Sequence, residues 1–162
     1  MALVDYFLKI DGVPGESQDS RHKNEIQVLS YNFGESQAGT MAFGGGGGAG
    51  KVQMQDFHFA MNVNKASPKL FLACATGEHI PKAVLTCRKA GKHQEDYLVV
   101  RLTDLLVSQY QTNGDAGSHG LPVDSISLNF AEIEIEYKGQ QPDGTLGAPT
   151  KVKYNLKQMI AA

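Results

Sequence analysis

Apolar and polar residues alternate with period two along most of this chain, and that period predicts strands. Residues 6–10 form a short first strand, closed by the turn Asp11-Gly12-Val13-Pro14-Gly15, and residues 16–23 read as a polar loop. In residues 25–34, EIQVLSYNFG, Leu29, Tyr31 and Phe33 share one face while Ser30 and Asn32 share the other. The alternation returns at residues 52–63, with Phe57, Phe59, Met61 and Val63 on one face. Further strands are predicted over residues 82–88, 97–110, 125–138 and 151–158, with Asp104 marking a bend. In the strand at 125–138 the apolar phase moves from Ile126, Leu128 and Phe130 to Ile133, Ile135 and Tyr137, as a β-bulge at Ala131 would produce. One helix is expected at residues 67–76. Ser67 fits its N-cap, Pro68 its first position and Gly77 its stop. Many strands and one helix predict a mainly β fold, a compact barrel or sandwich of two packed sheets with the helix on its flank.

One stretch breaks the alternation. Residues 37–51 run from Gln37 through Met41 and Phe43 into Gly44, Gly45, Gly46, Gly47 and Gly48, then reach Gly50 and Lys51. Such a run has no side chains to pack and much backbone entropy to lose. Residues 45–51 match the start of a phosphate-binding loop, G-x-x-x-x-G-K. The next residue is Val52 rather than the hydroxyl that magnesium needs, and a strand pattern follows instead of a helix. Nucleotide binding is therefore disfavoured. A flexible loop and an arm that orders against another subunit both stay open.

The final two strands read as a hairpin. Glu132, Glu134 and Glu136 form a one-sided ladder that would repel itself, and Lys151, Lys153 and Lys157 lie on one face of the next strand. Facing the ladders across the hairpin converts like charges into cross-strand pairs that set register.

Composition narrows the function classes. The chain has 162 residues, 41% hydrophobic, with a net charge of −2, which suits one domain over residues 1–162 and gives no nucleic-acid surface. The opening MALVDYFLKIDG lacks a basic region and a long apolar run, so neither a signal peptide nor a membrane span is expected. Cys74 and Cys87 read as buried thiols. The five histidines are scattered singly, no metal-ligand spacing occurs and no nucleophile elbow surrounds a serine. Neither an enzyme nor a cofactor is expected.

The ordered set FLKIDGVPGES (7–17), EIQVLSYNFG (25–34), the glycine arm ending GAGKV, ASPKL (66–70), RKAG (88–91) and SLNFAEIEIEY (127–137) resembles Hcp, the hemolysin-coregulated tube protein of bacterial type VI secretion. The resemblance spans nearly the whole chain. It departs at Tyr31-Asn32-Phe33, where many relatives carry tryptophan and this chain has none. It implies a phage tail-tube-like barrel with a flanking helix. It also implies six-membered rings stacked into a hollow tube inside a contractile sheath, with a tip protein and small effectors as partners. The protein would assemble in the bacterial cytoplasm and leave without a signal peptide. No C-terminal toxin domain is expected. Within that picture the arm at 37–51 lies between subunits or rings, and Ser30 and Asn32 are the candidate lumen residues.

Overall fold

The computed structural model describes residues 4–39, 49–90, 94–117 and 120–161. Its elements are β1 (Val4–Ile10), β2 (Ile26–Val28), β3 (Ser30–Asn32), β4 (Glu35–Gly39), β5 (Ala49–Met54), β6 (Phe57–Asn62), α1 (Ala66–Thr76), β7 (Ile80–Lys89), β8 (Asp96–Asn113), β9 (Val123–Gln140), β10 (Leu146–Asn155) and β11 (Ile160–Ala161). A nine-stranded sheet runs β11-β10-β9-β8-β7-β1-β2, with β6 on the free side of β9 and β3 beyond β6. All its pairings are antiparallel. Strands β4 and β5 form a separate two-stranded sheet.

The mainly β class with packed sheets and one flanking helix is as expected, but the large sheet does not close into a barrel. One sheet curls over one core, and the segment 26–32 bridges its far edges. The first part of that segment pairs with β1, the second with β6, and the Leu29 N–H between them donates to the Ala60 carbonyl at 2.8 Å. The segment is therefore two short strands rather than one. Ile26 and Val28 enter the core before Leu29, while Tyr31 and Phe33 pack against it afterwards, leaving Leu29 exposed rather than on the buried face. The arm and its following strand also separate: Gln55 and Asp56 interrupt the ladder between β5 and β6.

Inside the curl, Phe57, Phe59 and Met61 of β6 pack with Ile126, Leu128 and Phe130 of β9, Leu105 and Val107 of β8, Leu85 of β7 and Leu8 and Ile10 of β1. The helix adds Leu70 and Ala73, both buried. Burial of this order, at roughly 25 cal/mol per Å² of apolar surface, is the main stabilising term.

The helix begins one residue before the expected cap. Asn64 Oδ1 accepts from the Ala66 N–H at 2.8 Å, while Ser67, already helical, accepts from the Asn64 N–H at 3.0 Å. The Ser67 hydroxyl donates to the fully buried Asp124 carboxylate at 2.6 Å, fastening the helix start to β9. Gly77 ends the helix in the left-handed region, φ 65°, as expected.

The phase change in β9 is real, but no bulge at Ala131 causes it. Thr103 pairs with Glu132 and Leu105 with Phe130, so the register is continuous across that point. Instead β8 changes phase with β9: Val100 and Leu102 are buried before it, Leu105 and Val107 after it. Between them Asp104 adopts φ 53°, and both strands turn their other face to the core together. The register does shift further along, between Val107 and Gln109.

Candidate functional site

The curled sheet leaves one broad face that is nearly free of charge. Across β3, β6, β9 and β8, the register places Asn32 beside His58, His58 beside Ser127 and Ser127 beside Gln109. The neighbouring row is Ser30, Ala60, Ser125 and Gln111, and beyond it lies Asn62 beside Val123 and Asn113. These residues lie opposite Phe57, Phe59, Ile126 and Leu128, so alternation aims them away from the core. Hydroxyls and amides dominate; Ala60, Val123 and the rim residue Leu106 are the apolar members. The side chains bond laterally. His58 Nδ1 lies 2.5 Å from Ser127 Oγ, which donates to Gln109 Oε1 at 3.3 Å. Asp56 accepts from Ser108 Oγ at 2.6 Å and from Asn129 Nδ2 at 2.8 Å. Ser30 and Asn32, the expected lumen residues, lie here, joined by His58, whose place between Phe57 and Phe59 puts it on the polar side of its strand. Strand pairing, which the sequence leaves open, brings Ser127 and Gln109 alongside.

The expected arm is in part a hairpin. Glu35 pairs with Met54, Ser36 with Gln53 and Gln37 with Val52, and Gly39 pairs with Ala49 after a register shift. All of β4 is exposed. Gly50 and Lys51 therefore lie in strand β5, and a side chain at Gly50 would come within 3.3 Å of the Ala38 Cβ. A strand on both sides of Lys51 is not the loop-to-helix entry that a phosphate cradle uses. Met41, Phe43 and Gly44 to Gly48 lie outside the described residues.

A charged surface occupies the opposite half of β9. Lys151 sits across from Glu136 and Lys153 across from Glu134, and each reaches diagonally: Lys151 Nζ to Glu134 at 2.9 Å, Lys153 Nζ to Glu132 at 3.0 Å. Arg101 of β8, a partner that the hairpin pattern does not announce, flanks the ladder from the other side, 2.8 Å from Glu136 and 3.7 Å from Glu134. Lys157 leaves this ladder and lies 3.8 Å from Asp104, which His79 approaches to 3.2 Å.

The loop at 16–23 is less simple than its polarity suggested. Arg88 is buried and binds Asp19 at 2.7 Å and Asp5 at 3.3 Å, with its guanidinium 4.9 Å from the Phe7 ring centre. The Arg88 hydrogen bond holds the Asp19 carboxyl down at about 2. His22 stacks on Phe7 at 4.4 Å and places one ring nitrogen 2.9 Å from Glu25 and the other 3.4 Å from Asp96. Cys87 and Cys74 are free thiols; burial pushes Cys87 up to about 11, so it stays protonated at neutral pH. Among the described residues no group of three or more His, Cys, Asp or Glu could hold a metal ion.

The family model described as type VI secretion system effector, Hcp, matches residues 7–137. The chain belongs to the Hcp family. Protein hcp1 of Pseudomonas aeruginosa is 45% identical to it over 161 residues, covering 98% of this chain and 99% of that protein. The crystal structure of Hcp1 from Salmonella typhimurium superposes with a TM-score of 0.82 at 32% identity, over 99% of this chain and 100% of that one. The solved structure of a type six secretion system protein gives a TM-score of 0.93 at 28% identity, over 98% and 99%. This Hcp-family chain is thus a secreted tube subunit of type VI secretion. Among its described residues, no helix is long and apolar enough to cross a membrane.

Proposed function

We propose that copies of this chain close into a ring of six, that rings stack into a hollow tube, and that the β4–β5 hairpin links one ring to the next. The observation that carries the linkage is the hairpin itself. An isolated two-stranded hairpin is marginal in water, and β4 is exposed at every position. Neighbouring chains supply the missing cover, with Gln37 and Lys51 in the stem and Met41 and Phe43 as apolar anchors. A head-to-tail contact that closes on itself leaves no free edge, which favours a ring over an open fibre. A tip protein, a sheath and small effectors are its partners, and assembly in the cytoplasm precedes export without a signal peptide. Nucleic acid, membrane and cofactors have no part in this function, and the chain is a structural component rather than an enzyme.

The test is to replace residues 44–50 by a short turn. The ring should persist by light scattering while ring-on-ring stacking and tube-dependent secretion fall. A shortened arm that stacks and secretes like the parent would refute the linkage, and loss of the ring itself would put the arm inside one ring.

A carrier role for the ring has its own support. The face carrying Ser30 and Asn32 is hydrophilic and nearly free of charge, and so suits a channel wall that holds and releases protein cargo. Co-purification of a small effector with the ring, lost on Ser30→Arg or Asn32→Arg, tests it.

A further inference from the structure

We infer that the face around His58 selects cargo bearing lysine or amide donors, and that His58 makes this selection depend on pH. The inference rests on the reading of this face as a channel wall.

The charge on this face is sparse. Its described residues include one imidazole, His58 of β6, and one carboxylate, Asp56, which precedes β6 and reaches the face through Ser108 of β8 and Asn129 of β9. Opposite His58, β3 supplies Asn32 and β9 supplies Ser127; beyond them β8 supplies Gln109. No lysine or arginine of these strands shares the face. Asp56 already accepts from Ser108 and Asn129, which fix its carboxylate in place without neutralising it. Its field, repeated around a channel wall, favours cationic and donor groups on whatever enters.

The hydrogen-bond chain decides what His58 offers. Gln109 Oε1 can only accept, so the Ser127 hydroxyl donates to it at 3.3 Å. Ser127 Oγ then accepts from His58 Nδ1–H. A neutral imidazole with its proton on Nδ1 presents a bare lone pair at Nε2, and Nε2 has no partner among the described residues. His58 and Asp56 therefore both accept, and a lysine ammonium or an amide N–H satisfies them. Protonation turns Nε2 into a donor and adds a positive charge beside Asp56, so both the local charge and the hydrogen-bond polarity turn against the same cargo.

The test uses the intact ring in a Cys74→Ser background with an environment-sensitive dye on Ser30→Cys, and two peptides of equal length, one of Lys and Gln, the other of Glu and Gln. Dye response reports occupancy of the face. At about pH 7.5 and low salt the lysine peptide should bind about tenfold more tightly than the glutamate peptide, and at about pH 5.5 that preference should shrink several-fold. Asp56→Asn should abolish the preference. His58→Asn, whose amide can keep the bond to Ser127 while deleting Nε2, should bind with no pH response over this range, with ring mass and melting temperature as controls. Equal binding of both peptides, tighter binding of the glutamate peptide, or a pH response surviving in His58→Asn overturns the inference while leaving the channel-wall reading intact. No dye response to either peptide overturns both.

Discussion

The two halves of β9 are built for different neighbours. Its first half presents Ser125, Ser127 and Asn129 beside β6; its second presents Glu132, Glu134 and Glu136 beside β10, and both pair with β8 throughout. The first half presents hydroxyl and amide side chains, Ser127 bonded to His58 and Gln109 and Asn129 to the single carboxylate of Asp56, and leaves Ser125 and Asn129 exposed. The second concentrates charge, and its own cations cover it so well that the Glu134 and Glu136 side chains are 15% exposed. Charge density alone is thus a poor guide to an interaction surface. The dense ladder is consumed within the subunit, whereas the bland half stays available. Between the halves sits Asp104, whose left-handed backbone coincides with the change of face in both strands.

Breaking the hinge should have the largest effect. A β-branched residue tolerates φ 53° poorly, so Asp104→Val should cost about 2–3 kcal/mol in urea unfolding, and Asp104→Asn much less. An equal loss in both would mean that the contacts to His79 and Lys157, not the backbone, set the value of this position.

Reversing the ladder comes next. Lys151→Glu with Lys153→Glu should destabilise the hairpin by about 1–2 kcal/mol, since two cations become anions facing three glutamates. Adding Glu134→Lys and Glu136→Lys should recover only part of the loss, because the new lysines then confront Arg101. Full recovery would show that Arg101 contributes nothing.

Acid should discriminate the charged regions from the neutral face. Asp19 ionises more easily in the folded chain than in the unfolded one, so its stabilisation is complete above its unfolded value, 3.8, and is lost as pH falls through about 2. Asp19→Asn should therefore be less stable at neutral pH and show a smaller further loss over that window. An unchanged acid slope would remove Asp19 from the account.

The smallest effect belongs to the neutral face. Ser125→Ala should shift unfolding by no more than about 0.5 kcal/mol. A larger cost would mean that this exposed hydroxyl supports the fold as well as facing outward.

What could be read from the sequence follows from which interactions are local. Alternation located the strands, Gly77 ended the helix, and the Glu and Lys ladders implied the register that β9 and β10 adopt, because each signal lies within one or two neighbouring segments. The rest depends on distant pairing. Nothing near Arg88 in sequence announces Asp19 and Asp5, and nothing near His58 announces Ser127 and Gln109. A change of phase in one strand looks like a bulge until the partner strand is seen to change with it. Leu29 was misplaced for the same reason, since two different partners hold the two ends of its segment.

A three-dimensional reconstruction of the purified assembly by electron microscopy gives both the copy number and the orientation of β9 in one map. The expected map is a hollow ring of six, with Ser30, Asn32, His58 and Asn129 facing the channel and the ladder of Glu132, Glu134 and Glu136 turned away from it. A particle without a channel, or a ring whose channel is lined by the glutamate ladder while a neighbouring subunit covers the neutral face, would contradict it.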